Sequence, residues 1–279
     1  MAHSPVCRVG IVGFGELGQF LSKNLLENER LKKNFTLAFV WNRSKEVFEK
    51  TVPNHLRLDT LDDFEMFCPD LIVEVAHPLI TENYGERFLN YCDYMAGSPT
   101  AFANPQTYEQ LVANAHFAKG LYIPRGALPG LEEIIRMRLS NRLLDARITM
   151  KKHPNSIHFL GELSPPISET NGERVLFEGS LRELCPLAPN NVNTMAVLAL
   201  ASGLGFDQIE AKLIADPLLE HHITTVELFG PRSHGSRYKL TLMRESPAGI
   251  GAVTSSATLM TFLDSMIAAN GLGSGLHFI

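Results

Sequence analysis

The sequence predicts an α/β protein with a doubly wound parallel sheet in its N-terminal part, followed by a mixed α/β domain. In the first 126 residues, β-prone apolar runs alternate with segments of helical periodicity, and a glycine-rich turn joins the first run to the first helix. Beyond residue 126, several strand-like runs follow one another with few helices between them. We therefore expect one domain from residues 1–126 and 252–279 and a second from residues 127–251.

The composition favours a globular protein that works on small molecules. With 279 residues and 45% hydrophobic content, the chain can bury a large core. A formal net charge of −5 offers no basic field for nucleic acid or for an anionic membrane surface, because phosphate binding requires clustered lysine and arginine. The longest weakly polar stretch, residues 194–206, is shorter than the roughly 20 residues that cross a bilayer.

The cysteines and the N-terminal sequence indicate a reducing compartment. Four cysteines are spread singly through the chain without a C-x-x-C pair, which argues against a disulfide framework and a structural zinc site. No H-E-x-x-H motif occurs, so we expect no bound metal. The first ten residues, MAHSPVCRVG, lack the basic and apolar regions of a signal peptide. The expected location is the cytoplasm.

Residues 6–18, VCRVGIVGFGELG, read as a strand, a tight turn and the start of a helix. In a dinucleotide-binding (Rossmann) unit the first glycine makes the turn, the second lets the backbone approach a pyrophosphate, and the third lets helix and strand pack closely. Gly13, Gly15 and Gly18 occupy these three positions. The phosphates would then lie at the helix N-terminus, where N–H groups and the helix dipole favour anions.

The other predicted elements of the first domain continue the alternation of strands and helices. Runs ended by turn residues predict strands at 35–41, 70–76, 93–96 and 121–123, with a weaker segment at 55–58, and helical periodicity predicts helices at 82–90 and 105–119. Such alternation calls for right-handed crossovers and for ligands at the carboxyl ends of the strands.

The second domain is predicted to hold an open mixed sheet. Strands are expected at 145–152, 157–160, 174–179, 222–229 and 236–243, and helices at 130–141 and 191–202. A last helix, at 252–269, is expected to pack back on the first domain.

The carboxyl end of the second strand bears on the choice of cofactor. An NAD-type site has a carboxylate there that accepts hydrogen bonds from the ribose hydroxyls. This chain has Asn42, Arg43 and Ser44 instead. Without a carboxylate nothing repels a 2′-phosphate, Arg43 can pair with it, and the two neighbours can donate hydrogen bonds. NADP should bind at least as well as NAD; if these residues form only a solvated turn, the preference is open.

Several further motifs occur in a fixed order after the glycine turn: EVAHP, GSPTA, IPRGALPG, NNVNTMA and IADP, followed by histidine. In these motifs the chain resembles the L-aspartate dehydrogenase family over nearly its whole length, and its animal branch above all. The resemblance implies a Rossmann domain, a mixed α/β domain for catalysis and dimerisation, and a homodimer. It also implies oxidation of L-aspartate by NAD or NADP to iminoaspartate, which hydrolyses to oxaloacetate and ammonia, or the reverse reaction.

The resemblance also implies the cofactor contacts. Those in the pyrophosphate turn are Gly13, Gly15, Glu16, Leu17 and Gly18. Those at the end of the third strand are Ala76, His77 and Pro78, and those on the nicotinamide side are Ala127 and Asn193. A small residue such as Ala127, just past a strand end, lets a flat ring approach. Asn193, near a helix start, either hydrogen-bonds a carboxamide or caps the helix.

The catalytic histidine of the family follows the ADP segment, usually in an N-x-H pattern that the stretch ADPLLEHHITTVELFG lacks. Aligning backward from VELFG places His222 in the catalytic position, whereas an ungapped match to the bacterial pattern places Thr224 there. Histidine suits proton transfer because its ordinary pKa is about 6.5. His222 is the candidate catalytic residue, and His221 is the alternative.

A dicarboxylate substrate needs fixed positive charge, because both carboxylates lose water on entering a site. Arg125, Lys151 and Lys152 are the nearest candidates. Alternate residues of a strand face opposite sides, so only one of the two lysines should point inward. Which lysine binds substrate, or whether both are solvated at a strand end, is open at this stage.

Two other functions fit the same residues. The scaffold could reduce another small imine or oxo acid with NADP, because a fold does not fix its substrate. The chain could also bind NADP without turnover, as a regulator that has lost the usual histidine motif. Substrate profiling would identify the first alternative, and NADPH binding without amine-dependent turnover would identify the second.

Overall fold

A computed structural model describes residues 6–48, 51–115, 119–169 and 171–279. The chain divides into two compact units: the first extends to Pro124 and takes in Phe262–Ile279, and the second is Arg125–Thr261. Residues 252–261, which the sequence assigns to the first domain, therefore lie in the second unit. They are held there by hydrogen bonds, since the Val253 carbonyl accepts from Lys152 and the Thr261 hydroxyl donates to the Gly126 carbonyl.

The described residues form the following strands and helices. The strands are β1 (Cys7–Val12), β2 (Phe35–Trp41), β3 (Leu71–Glu74), β4 (Asp93–Ala96), β5 (Gly120–Ile123), β6 (Asp145–Lys152), β7 (Arg174–Ser180), β8 (Glu210–Ala215), β9 (His221–Ser233), β10 (Ser236–Pro247) and β11 (Gly275–Phe278). The helices are α1 (Glu16–Glu27), α2 (Pro78–Tyr91), α3 (Pro105–Ala115), α4 (Leu131–Leu139), α5 (Leu181–Leu184), α6 (Asn193–Ser202), α7 (Gly205–Gln208) and α8 (Ser256–Ala269).

The first unit is built on a six-stranded sheet in the order β11–β5–β4–β3–β1–β2, with all neighbours parallel. The strand order reverses at β1, because β2 lies on one side of it and β3 on the other. Ligands of doubly wound sheets bind at the carboxyl ends of the strands at such a reversal. The predicted α/β fold with a Rossmann-like parallel sheet is confirmed.

The core of the first unit follows from the apolar runs. Parallel strands covered on both faces are buried almost continuously, and β1 has only one exposed residue, Arg8. Val9 and Ile11 of β1 pack in one apolar cluster with Leu21 and Leu25 from the inward face of α1. This packing fixes the start of α1 directly after the glycine turn.

The second unit contains a five-stranded mixed sheet in the order β10–β9–β6–β8–β7. β6 and β8 run parallel, and the other neighbouring pairs are antiparallel. Burial alternates along β6 and along β9 from His221 to Gly230, so one face of these strands is buried and the other is partly exposed. The predicted mixed sheet is therefore present.

Several predicted elements differ from the structure. Residues 157–160 form no strand; the N–H of His158 instead donates to the Asn191 side chain, and that of Leu160 to the Leu187 carbonyl. The weak segment at 55–58 makes one parallel bridge, Arg57 with Val40. β8 and β11 were not predicted. The helix expected at 105–119 ends at Ala115, and residues 116–118 lie outside the described residues.

Candidate active site

The glycine turn after β1 is fixed by close contacts at two of its glycines. Gly13 has a φ of +112°, and a Cβ there would lie 2.8 Å from the backbone of Val75 and Ala76. A Cβ on Gly18 would overlap the Gly13 carbonyl oxygen. At Gly15, by contrast, a Cβ would have no atom of the described part of the chain within 4 Å. Two glycines therefore shape the turn, and the third leaves open space above the backbone.

The N-terminus of α1 fits a pyrophosphate. Gly15 holds the cap position, and none of the described side chains caps the first-turn N–H groups. These groups and the positive end of the helix dipole attract an anion. Within the first turn Glu16 is exposed and Leu17 is half-buried. The structure thus brings the five residues predicted for the pyrophosphate turn together at the point where the strand order reverses.

Asn42, just after β2, braces the glycine turn. Its Oδ1 accepts a hydrogen bond from Phe14 N at 3.0 Å, and its Nδ2 donates to the Ser44 carbonyl at 2.8 Å. Arg43 and Ser44 are exposed, and the Arg43 side chain forms no hydrogen bond or ion pair with any described residue. The structure therefore gives Asn42 a structural task and leaves Arg43 accessible to an anion.

A buried carboxylate, Glu74, joins the carboxyl ends of β3 and β4. Its Oε1 accepts from the N–H groups of Ala76 at 2.7 Å and His77 at 2.8 Å. Ser98 adds two more hydrogen bonds, from N to Oε2 at 2.9 Å and from Oγ to Oε1 at 3.0 Å. Burial raises the pKa of Glu74 to about 7, although the four hydrogen bonds act to lower it. Glu74 therefore positions the EVAHP and GSPTA segments.

Sequence reasoning missed Glu74, although a signal was present. An acid stands inside the apolar run Leu71–Val75, and a charged group enters a core strand only with hydrogen-bond partners.

His77 and Pro78 begin α2 at the same edge of the sheet. His77 is the cap residue, and its Nδ1 accepts a hydrogen bond from Leu79 N at 3.3 Å. Burial and the nearby charge of Arg43 lower the pKa of His77, while Glu82 acts to raise it. The ends of β2 and β3 therefore carry Arg43 and His77 near each other.

The two histidines of β9 face opposite sides of the sheet. His222 is 8% exposed, and its Nε2 has no hydrogen-bond partner among the described residues. Burial and the charge of Lys152 lower the pKa of His222 to about 4, although a hydrogen bond to the Ala252 carbonyl acts to raise it. His222 is therefore neutral near pH 7. His221 lies on the other face, with its Nε2 3.8 Å from Glu245 Oε2.

The two lysines at the end of β6 are separated in the same way. Lys152 is 3% exposed, and its Nζ donates to the carbonyls of Asn191 and Val253, both at 3.4 Å. Burial lowers the pKa of Lys152 to about 8. Lys151 lies on the other face and pairs with Glu173. Lys152 is therefore the lysine that shares a face with His222.

The other predicted residues of the second unit lie on two further segments. Arg125 and Ala127 belong to the turn before α4, which is closed by a hydrogen bond from Leu128 N to the Arg125 carbonyl at 3.0 Å. Asn193 is the first residue of α6, and Val192 holds the cap position. The alternative that Asn193 is the cap of this helix is therefore wrong.

Arg244 is a basic residue near this site that the sequence analysis did not identify. It pairs with Thr224 in the register of β10 and β9, so it shares the face of His222. Its Nη1 donates to the Gly126 carbonyl at 3.4 Å, and burial together with the charge of Arg125 lowers its pKa. The predicted strand ended at residue 243, so Arg244 was not placed on a sheet face.

Comparison with known proteins shows the family. The C-terminal domain of aspartate dehydrogenase matches residues 133–265, and the NAD-binding domain of homoserine dehydrogenase matches residues 13–123. The chain is 41% identical over 273 residues to the aspartate dehydrogenase domain-containing protein of Danio rerio, covering 97% of both chains. The chain belongs to the aspartate dehydrogenase family. The resemblance identified from the sequence motifs is thereby confirmed.

More distant members of the aspartate dehydrogenase family extend the comparison. The chain is 27% identical to the L-aspartate dehydrogenase of Thermotoga maritima, covering 78% of this chain and 80% of that protein. The crystal structure of aspartate dehydrogenase from Thermotoga maritima matches with a TM-score of 0.66 and 24% identity, covering 95% of this chain and 97% of the other, and shows the same fold. This chain is, like its family, an oxidoreductase, and its first unit is a domain for a nicotinamide cofactor. None of its described helices is long and apolar enough to cross a membrane.

Proposed function

We propose that this protein catalyses the NAD(P)-dependent oxidative deamination of L-aspartate, or the reverse reaction. The cofactor, when bound, accepts the hydride that leaves the substrate Cα. Loss of a proton from the amine completes the C=N bond of iminoaspartate, and addition of water followed by loss of ammonia gives oxaloacetate. L-aspartate is proposed as the substrate because the relative from Thermotoga maritima is an L-aspartate dehydrogenase. The observation that carries it is the neutral His222, whose buried Nε2 lacks a partner among the described residues, beside the buried amine of Lys152.

His222 acts in this proposal as the general base. Its hydrogen bond to the Ala252 carbonyl holds one ring nitrogen, which leaves Nε2 to accept a proton from the substrate amine or from the attacking water. A carboxylate bound beside Lys152 would offset the charge that lowers the pKa of His222. The pKa of the imidazole then rises toward the working pH, where a general base is most effective.

The geometry of β9 supports His222 despite the altered motif. An ungapped match to the bacterial pattern places Thr224 in the catalytic position, two residues along the chain. Side chains of a strand return to the same face every second residue, and both His222 and Thr224 are buried on one face of β9. A shift of two residues therefore keeps an imidazole on the catalytic face.

Lys152 supplies positive charge for a substrate carboxylate. Its Nζ is buried and contacts two backbone carbonyls at 3.4 Å, which is long for a hydrogen bond to an ammonium group. A substrate carboxylate would give this amine the charged partner that buried ions require. Arg125, exposed in the turn before α4, is the second proposed substrate ligand. Lys151 has a partner in Glu173 on the opposite face and takes no part in the proposal.

The first unit carries most of the proposed cofactor residues. The glycine turn would hold the pyrophosphate, the accessible Arg43 would favour NADP over NAD, and Ser44 would add a hydrogen bond. The cofactor contacts proposed at the end of β3 and in the second unit are Ala76, His77, Pro78, Ala127 and Asn193. The open space at Gly15 and the uncapped start of α1 support the pyrophosphate part.

The test follows nicotinamide absorbance with L-aspartate and either cofactor, and then with oxaloacetate plus ammonia. We expect turnover by the wild type and a decrease in kcat of about 10²- to 10⁴-fold in His222→Ala, the usual contribution of a general base. His221→Ala is the matched control, because it removes the adjacent imidazole on the other face. Cofactor binding without aspartate-dependent change in either direction would reject the proposal in favour of another imine substrate or a regulator.

The protein is also proposed to be a homodimer. The partly exposed face of the five-stranded sheet carries Ile223 and Phe229, and Met243 of the neighbouring strand is 62% exposed. Exposed apolar area of this kind marks association surfaces. Light scattering should show twice the chain mass, and Met243→Lys should shift the protein toward monomer. A wild-type protein that stays monomeric at all concentrations would reject the dimer.

A further inference from the structure

Arg244 and Arg125 lie near each other without an acidic partner among the described residues. Burial and the nearby charge of Arg125 lower the pKa of Arg244. Arg244 Nη1 makes a long hydrogen bond, 3.4 Å, to the carbonyl of Gly126, the residue that follows Arg125. Holding two like charges together where one is half-buried is unfavourable unless an anion joins them.

Two other arginines of the five-stranded sheet are paired with acids. Arg237, on the same strand as Arg244, lies 3.3 Å from Asp145 Oδ2, and Arg147 lies 2.7 Å from Glu210 Oε2. Arg244, whose charged neighbour is Arg125 and not an acid, differs from these two and lies beside the proposed catalytic histidine.

The strand register places Arg244 within reach of the reacting part of the site. His222 is directly opposite Ser246, and Thr224 is directly opposite Arg244, all on one face. Arg244 is thus the diagonal neighbour of His222, at a Cα separation of roughly 7–8 Å for such pairs. Lys152 lies on the other side of His222, next to it in β6. Positive charge therefore stands on both sides of the imidazole.

We propose that Arg244, assisted by Arg125, binds the side-chain carboxylate of the substrate and so selects dicarboxylic over monocarboxylic amino acids. This inference rests on the proposed function. Lys152 is then left for the α-carboxylate, and the substrate Cα lies near His222. The planar guanidinium fork of Arg244 suits bidentate binding of a carboxylate, which lysine cannot reproduce. An analogue without the second carboxylate would leave both arginines unpaired and would be rejected for that reason.

The experiment compares two unreactive probes, succinate and butyrate, by calorimetry on the full-length protein saturated with NADPH. The probes differ in one carboxylate. The wild type should prefer succinate, and Arg244→Gln should weaken succinate binding by about 10- to 100-fold, the loss expected for a charged hydrogen-bonded pair, with butyrate unchanged. Arg237→Gln is the matched control, since it removes the same group from the same strand and should leave succinate binding unchanged.

Two further variants keep the test decisive if Arg244→Gln does not fold. Arg244→Lys keeps the charge without the fork and should bind succinate with intermediate affinity, and Arg125→Gln alters an exposed residue and should also weaken it. In turnover assays the loss should appear in KM for L-aspartate more than in kcat. Succinate binding that is absent in the wild type, or equal in wild type and variants, overturns the inference.

The outcomes also separate this inference from the proposed function. If succinate binding depends on Arg244 but L-aspartate is not turned over, the carboxylate site stands and the reaction is wrong. If L-aspartate is turned over equally well by wild type and Arg244→Gln, the reaction stands and the role of Arg244 is wrong.

Discussion

Ser98 donates two hydrogen bonds to Glu74, one from its backbone N–H and one from its hydroxyl, and these bonds tie the end of β4 to the end of β3. The same carboxylate holds the N–H groups of Ala76 and His77. A single buried side chain therefore shapes the two loops that leave the sheet edge where a cofactor is expected. Because this side chain is ionisable and buried, the stability of the first unit depends on pH.

The Glu74→Gln variant should change the pH dependence of stability. The pKa of Glu74 is raised to about 7 in the folded protein from an ordinary value of about 4.5, so the folded state binds this proton more tightly. The stabilisation of the folded state by the proton on Glu74 is fully present below pH 4.5 and is lost as the pH rises to 7. Relative to Glu74→Gln, the wild type should lose up to about 3 kcal/mol of unfolding free energy across that range.

Urea unfolding between pH 4.5 and 8 measures this difference. Glu86→Gln is a suitable control, because Glu86 is a surface residue bonded to Asn114 and its replacement should shift stability by less than about 0.5 kcal/mol. Parallel pH profiles for wild type and Glu74→Gln would show that Glu74 does not titrate in this range.

The pH dependence of kcat/KM should report His222 and Lys152. The low pKa of His222, about 4, leaves the base unprotonated above pH 5, and the pKa of Lys152, about 8, predicts a loss of carboxylate binding above pH 8. Lys152→Met should remove the basic limb. It should also move the acidic limb upward, because the charge of Lys152 helps to lower the pKa of His222. An acidic limb that stays in place would contradict this coupling.

Arg43→Ala should reduce the preference for NADPH. The exposed guanidinium would lose its pairing with the 2′-phosphate, so the Kd for NADPH should rise by about 10- to 100-fold while that for NADH changes little. Nucleotide fluorescence titration measures both constants. Arg30→Ala, an exposed arginine beyond the end of α1, is the control. Equal effects on both nucleotides would show that Arg43 does not read the 2′ position.

Alanine at Gly15 and at Gly18 should have different effects. A Cβ at Gly18 overlaps the Gly13 carbonyl, so Gly18→Ala should destabilise the protein by about 1–3 kcal/mol or more. Gly15 has an ordinary φ of −71° and open space, so Gly15→Ala should keep its melting temperature and lose NADPH affinity. Melting curves with and without NADPH distinguish the two, and normal NADPH binding by Gly15→Ala would place the pyrophosphate elsewhere.

The sequence predicted the parts of the fold that local patterns determine. β1, the glycine turn and α1 were predicted because apolar periodicity and glycine positions suffice there. β8 was missed because it is a short strand that pairs in parallel with the distant β6. Residues 157–160 have the composition of a strand, yet the Asn191 side chain holds their backbone in a loop. Short segments such as these depend on partners far along the chain.

The candidate site was predictable to a similar extent. The glycine turn and the alternation of adjacent residues in strands follow from local geometry, which is why only one of Lys151 and Lys152 was expected to point inward. Arg244 was not found, because its place beside His222 depends on the register between β9 and β10. Glu74 acquires its role from Ser98, which lies on the next strand of the sheet.

The two-residue period of β9 has an evolutionary consequence. A functional side chain on a strand can migrate only in even steps, because an odd step carries it through the sheet to the other side. A lineage with imidazoles at both 222 and 224 would hold two interchangeable bases on one surface, and either could then be lost without a non-functional intermediate. Motif searches that demand a fixed spacing would miss proteins in which the histidine has moved by two residues. A search that accepts a histidine at every second position of the strand would find them.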